Sequence, residues 1–229
     1  MKNKSFITLI SNYLPIILLI LSGVFHITGK CQQNKGLIRK NLSENWMFYS
    51  PVDSLKYPAK IPGNIHSDLL ANNLIANPFY SNNELALKWI ENENWTYETQ
   101  FTLSDKDLNS GFINLTFEGL DTYAKVWLNN NLVLSTENMF VAKTIDIKPF
   151  ALLKNELRIE FKSAIKTAEP IYDSHYIRLP ADNDRNTKAT SVFTRKAPYQ
   201  YGWDWGPRLV GVGIWRPVYL ELLSRALVK

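Results

Sequence analysis

Cysteine is almost missing from this chain. Cys31 is the only one among 229 residues, so no internal disulfide can form and the fold must be held by burial. Histidine is scarce too: His26, His66 and His175 are too scattered for a metal site of familiar ligand spacing. There is no Gly-rich phosphate loop and no G-x-S-x-G, so neither nucleotide binding nor a nucleophile elbow is indicated. Long basic runs are lacking as well. The formal net charge is +5, and nothing resembles an RNA-binding motif, which sets nucleic acid aside as a partner. No metal and no cofactor is expected. Neither an internal repeat nor a low-complexity tract breaks the chain.

One apolar run stands out, "YLPIILLILSGVF" (13 to 25), behind the basic start Lys2 and Lys4. It is short for a membrane span of roughly 20 residues. Small residues Thr28 and Gly29 follow it. Residues 1–30 therefore read as a secretion signal that is removed, with a single anchoring helix as the alternative. The expected location is outside the cytoplasm: periplasmic, extracellular or lysosome-like. A lipid anchor on Cys31 is a further option, although Lys30 fits poorly ahead of such a cleavage site. Residues 31–41 read as a linker. The remainder is long enough for one domain with a sizeable core.

What is abundant is alternation. In "NWTYETQFTL", Trp95, Tyr97, Thr99, Phe101 and Leu103 share one face, and Thr96, Glu98, Gln100 and Thr102 the other. "GFINLTFEG" (111 to 119) and "ELRIEFK" (156 to 162) alternate in the same way. Successive strand side chains point to opposite faces, so each segment predicts a strand with one wet face. "YAKVWLNNNLVLS" predicts a hairpin turning at Asn129 to Asn131, since asparagine tolerates positive φ. "TIDI" (144 to 147) predicts a short strand. "GIWRPVYLEL" (213 to 222) predicts a final one, at an edge or with a bulge because Pro217 lacks a donor. "NIHSDLLANNLI" (64 to 75) predicts a short helix capped by Ser67. Ser163 to Pro198 shows no clean period and reads as a long polar loop. These elements predict an all-β jelly-roll sandwich of roughly eight strands, over residues 42–224, with a small helical element near its start.

Seven tryptophans are many for this length. Trp95, Trp127 and Trp215 sit in strand patterns and read as core or sheet-face residues; Trp46 and Trp89 are ambiguous. "PYQYGWDWGPRL" (198 to 209) differs, because Gly202 and Gly206-Pro207 bracket Trp203-Asp204-Trp205 in a sharp turn. Planar aromatics beside a carboxylate suit a sugar: the rings cover its apolar face, and the acid binds a diol. An acid in such a turn is expected to be partly desolvated. The alternative is structural, with Asp204 paired to Arg208 or Arg195 or bonded to backbone N–H groups. Glycoside hydrolysis needs two carboxylates across the bond. Asp173, Asp182 and Asp184 lie in the polar stretch, where acids are usually just solvated. Asp204 alone is therefore not a catalyst.

Several motifs together resemble the β-mannosidases of glycoside hydrolase family 2. They are "IPGNIHSDLL" (61 to 70), "NPFYSNNE" (77 to 84), "WTYETQF" (95 to 101), "FEGLDTYAKVWLNN" (117 to 130), "RKAPYQYGWDWGPRL" (195 to 209) and "GIWRPVYL" (213 to 220), in that order. The resemblance runs from about Leu42 to Leu223. It implies an N-terminal jelly-roll domain of the sugar-binding type. In that family, immunoglobulin-like domains and a (β/α)8 barrel with two catalytic glutamates follow. It also implies that Trp203 and Asp204 line the subsite for the non-reducing mannose, with Trp205, Arg195 and Arg208 supporting the loop. Asp121 reads as a local cap, His66 as an anchor of its turn, and Lys196 as a further brace of the tryptophan loop. The chain stops at Lys229, so 225–229 reads as the truncated start of a next segment. The expectation is a fragment that is inactive alone, holds a β-mannoside only weakly, and has the C-terminal catalytic domains as its missing partner. A stand-alone carbohydrate-binding module and a non-catalytic interaction protein are the alternatives.

Overall fold

The computed structural model describes residues 37–53 and 55–224. The expected signal segment, Cys31 and the tail 225–229 lie outside the described residues. Twelve strands follow in order: β1 Leu37–Asn41, β2 Trp46–Tyr49, β3 Tyr57–Ala59, β4 Trp95–Thr102, β5 Phe112–Phe117, β6 Leu120–Asp121, β7 Tyr123–Leu128, β8 Asn131–Glu137, β9 Lys143–Asp146, β10 Lys154–Phe161, β11 Gly213–Ile214 and β12 Val218–Leu223. Six form one sheet in the order β3-β2-β4-β10-β7-β8, and four form another in the order β1-β12-β5-β9. The short β11 and β6 pair with each other. Every named pairing is antiparallel.

The alternation does what a period of two must do. Trp95, Tyr97, Thr99 and Phe101 on β4 and Leu157, Ile159 and Phe161 on β10 are all buried. On the other sheet, so are Ile113, Leu115 and Phe117 of β5 and Val218, Leu220 and Leu222 of β12. The apolar members of both sets belong to one continuous core, so the molecule is a jelly-roll-type β-sandwich. Each such side chain contributes about 1.5–3 kcal/mol by burial. The hairpin β7–β8 turns on Asn129 and Asn130, whose φ values of 48° and 65° match the positive-φ demand of a two-residue turn.

Several expectations change. Leu37–Asn41 is not linker but β1, paired with β12. The helix α1, Ile65–Ala71, is capped by Asn64, whose side chain accepts from Ser67 N at 3.0 Å; Ser67 is the reciprocal partner in a capping box. The segment 213 to 222 is two strands, and Pro217 sits in the gap between them. β12 then runs inside its sheet, not at an edge, because the missing N–H lies outside the ladder. The long polar stretch is not all loop. After two short helices, α2 Asn83–Ala86 and α3 Asp105–Leu108, it opens with α4, Ala164–Ser174. Ser163 caps α4 through Lys166 N at 3.1 Å. The buried face of α4 is only Ala164, Ile165 and Ala168, and Pro170 interrupts the pattern, which is why no helical period shows.

Candidate functional site

The tryptophan loop stands on a separate small apolar cluster. Ala164 and Ile165 of α4, Tyr201 and Val210 form it, with Tyr123 packed alongside. Tyr201 ends a 3-10 turn, Pro198–Tyr201, and is fully buried. Gly202 follows at φ 108°, a backbone that side chains rarely adopt. Trp203 and Gly206 then bond each other twice, N to O at 3.1 and 3.3 Å, which leaves Asp204 and Trp205 as a two-residue tip. Leu209 N closes the base on Gln200 O at 2.9 Å.

Arg208 is the main brace. Its guanidinium donates to both oxygens of Glu91 (2.9 and 3.3 Å), to Asp184 Oδ1 (2.6 Å) and to Tyr201 O (3.1 Å). Glu91 and Asp184 are both buried. Burial pushes the Glu91 carboxyl above its usual range, and Arg208 opposes that push. Asp184 is thus not a solvated loop acid; it also accepts from Ser191 N at 3.0 Å. Asn183 adds a bond to Pro198 O at 2.7 Å.

A second buried knot holds the other side. Lys196 is fully enclosed and donates to Asp121 Oδ1 and to Gly211 O, each at 2.6 Å. Asp121 also accepts from Gln200 Nε2 at 3.0 Å and from Thr122 Oγ1. Asp121 is therefore a long-range partner, not a local cap, and Lys196 pairs with it and not with Asp204. Arg195 is exposed and supports the region through its backbone: its carbonyl accepts from Met139 N at 3.1 Å. His66 lies beside this knot, so close that a Cβ on Gly211 would come within 2.8 Å of its Nδ1.

On this base the tip stands in water. The Asp204 side chain is 93 % exposed, Trp205 is 81 % exposed and Trp203 44 %. The expected partial desolvation of Asp204 does not occur, because nothing folds over the tip. Arg208 is committed elsewhere, and the nearest cation to Asp204 is Arg185 at 3.8 Å, itself exposed. Such a pair is worth little. Trp205 braces nothing at this exposure. Trp203 separates two clefts. One, of about 470 Å³, is lined by His66, Asp121, Gln200, Trp205 and Trp215 beside it. The other, of about 590 Å³, is lined by Asp182, Asn183, Val192 and Asp204.

The family model described as "Glycosyl hydrolase 2 galactose-binding domain-like" matches residues 43–216. The chain belongs to that family. It is 35 % identical over 190 residues to a beta-mannosidase of Mus musculus and 38 % identical over 190 residues to beta-mannosidase B of Emericella nidulans. Those matches cover 81 % and 80 % of this chain and 22 % of either relative. The crystal structure of a beta-D-mannosidase from Dictyoglomus thermophilum superposes with a TM-score of 0.75 at 36 % identity, over 81 % of this chain and 22 % of that one. The chain thus spans about a fifth of the length of the relatives it matches. Among the described residues no helix is long and apolar enough to cross a membrane.

The two knots beneath the tryptophan loop were not legible in the sequence. Glu91 lies 117 positions from Arg208, and Asp121 lies 75 from Lys196. No local pattern connects them.

The knot has a pH signature. Burial, with Lys196 adding, lowers the His66 pKa from 6.5 to about 4. The folded value is depressed, so the unfolded chain takes the proton first. Stability is whole above pH 6.5 and falls as pH drops toward 4, by about 3 kcal/mol at this group. Melting followed from pH 7 to pH 4 should show the decline, and His66→Gln should flatten it. An unchanged slope in the variant would reject His66 as the cause.

Proposed function

We propose that this chain is the N-terminal, sugar-contacting domain of an exported β-mannosidase-type hydrolase, acting on terminal β-linked mannose. Trp203 walls the mannose site, and Asp204 accepts hydrogen bonds from its hydroxyls. The observation that carries the reading is the combination of an immobilised base with an aromatic, acidic tip left open to a partner surface. Similarity to beta-mannosidases across the whole domain supports the choice of sugar.

The loop binds and does not cleave. Glu91 and Asp184 are spent on Arg208, and Asp121 on Lys196. Asp182 and Asp204 beside Trp203 are exposed. A glycosidase acid must be shielded enough to keep its proton near neutrality, and neither carboxyl has that shielding. The catalytic carboxylates belong to further domains, for which the exposed tip is the docking element.

Titrating the chain with methyl β-mannoside should perturb the indole signals of Trp203 and Trp205 weakly, at millimolar sugar. Asp204→Ala should abolish that response and leave melting within about 2 °C, as for an ordinary surface substitution. No response from either indole at millimolar sugar, or an unweakened one in the variant, would reject the reading. A larger loss of stability would assign Asp204 to the fold.

A further inference from the structure

The bracing of the loop leaves one buried polar group unused, the imidazole of His66. His66 is 7 % exposed and lines the cleft of about 470 Å³ that Trp203 and Trp215 border. With its pKa near 4 the ring is neutral at pH 7, and it makes no hydrogen bond to any described residue. A neutral imidazole carries one donor and one acceptor, and buried polar groups without partners are rare enough to need a reason. The ring is also held in place. Gly63 N donates to Ile214 O and Ile65 N to Val212 O, each at 2.9 Å, so the chain is fastened just before His66. Gly211 packs against the imidazole from behind and leaves it no room to withdraw.

The walls of the cleft are aromatic. Trp203 and Trp205 come from the tip, Tyr199 from the 3-10 turn, and Trp215 and the 73 % exposed Phe79 from elsewhere. Trp215 is fixed by its Nε1 bond to Met139 O at 3.0 Å. Such walls cover the apolar face of a ring. Among the described residues lining the cleft, Asp121 is the only one with a formal charge, and Lys196 at 2.6 Å balances it. An ionic ligand therefore finds no free counter-charge. A wholly apolar ligand would seal His66 off from water without a partner, at the full cost of desolvating it. A ring with an apolar face and hydroxyls on its edge meets both demands. The volume lies within the range of about 300–1,000 Å³ common for small-molecule sites. Asp204 lines the cleft on the other side of Trp203. We infer that the His66 cleft is a second sugar subsite, taking the pyranose ring linked to the mannose at Asp204, with His66 as its buried hydrogen-bonding contact. That this ring belongs to a β-mannoside rests on the function proposed above.

The test is an NMR titration of the 229-residue chain with β-1,4-mannobiose and, separately, with methyl β-mannoside. Mannobiose should shift the ring resonances of His66 and the indole of Trp215, and bind about tenfold more tightly. Methyl β-mannoside, with one ring, should move neither. Phe79→Ala removes an exposed wall and no core contact. It should return mannobiose to the affinity of methyl β-mannoside, with the melting temperature unchanged. 4-Nitrophenyl β-mannoside offers a flat ring without hydroxyls and should gain less than mannobiose. A silent His66, no gain for mannobiose, or full affinity in Phe79→Ala, with Trp203 still responding to both sugars, would overturn this subsite and leave the first site standing. An equal gain for the nitrophenyl sugar would overturn the assignment to a sugar ring. Silence of Trp203 and His66 alike would overturn the proposed function and this subsite together.

Discussion

Arg208→Met is expected to cost this domain about 3–5 kcal/mol, because it strands two buried carboxylates on the loss of one cation. At about 2–4 °C per kcal/mol for a domain of this size, melting should fall by about 6–20 °C. The reason is geometric. Arg208 makes four hydrogen bonds, three of them to Glu91 and Asp184. It thereby fastens the tryptophan loop to the 3-10 turn Ile90–Asn92 and, through Asp184, to Ser191. Ser163, which caps α4, donates to Glu91 O at 2.5 Å, so the same point also seats that helix. The deficit should depend on pH in a definite direction. Burial already raises Glu91, and without Arg208 only the weaker pull of Lys88 opposes it. A carboxyl raised in the fold is tolerated below its unfolded pKa and penalises the fold as pH climbs through the folded value. The gap between variant and wild type should therefore be wide at pH 7 and narrow near pH 4. A gap of under about 2 °C at pH 7 would mean that the triad is solvated and that the loop is braced by other means.

This brace marks the limit of what could be read beforehand. The turn around Trp203-Asp204-Trp205 was legible because glycine and proline act locally. The strands β4, β5 and β10 were legible because burial on one face leaves a period of two in the residues themselves. The Asn129–Asn130 turn was legible for the same local reason. The helix α4 was hidden by Pro170 and by a buried face only three residues wide. The loop's anchors were hidden because Glu91, Asp121 and Asp184 look like surface acids until the fold brings a cation to each. The exposure of Asp204 was misjudged for a related reason: aromatic neighbours in sequence suggest shelter, but Trp203 and Trp205 flank the acid without covering it. Local rules specify a turn. They do not say which side of it meets the protein.

Lys196→Met is the other large effect, again about 3–5 kcal/mol, since it takes away the cation paired with the buried Asp121 carboxylate. Gln200 and Thr122 still donate to Asp121, so its hydrogen bonds are not the issue; its charge is. The double variant Lys196→Met with Asp121→Leu should recover most of the loss, because an apolar pair replaces an unpaired charge. If the double variant is as unstable as the single one, Lys196 matters for its bond to Gly211 O and not for the ion pair. His66 reports on the same event independently. Lys196 helps to hold the imidazole pKa down, so in Lys196→Met the ring should titrate above about 4, visible in its proton resonances. The acid decline in stability would still begin near pH 6.5, where the unfolded chain takes up the proton, but would end at a higher pH and be smaller, since less proton uptake separates the folded and unfolded chains. Movement of the His66 titration together with the recovered melting temperature would tie both to one charge. Asp121, the partner of that charge, lines the cleft between Trp203 and Trp215, so the knot that stabilises the domain also shapes the surface beside the tryptophan loop.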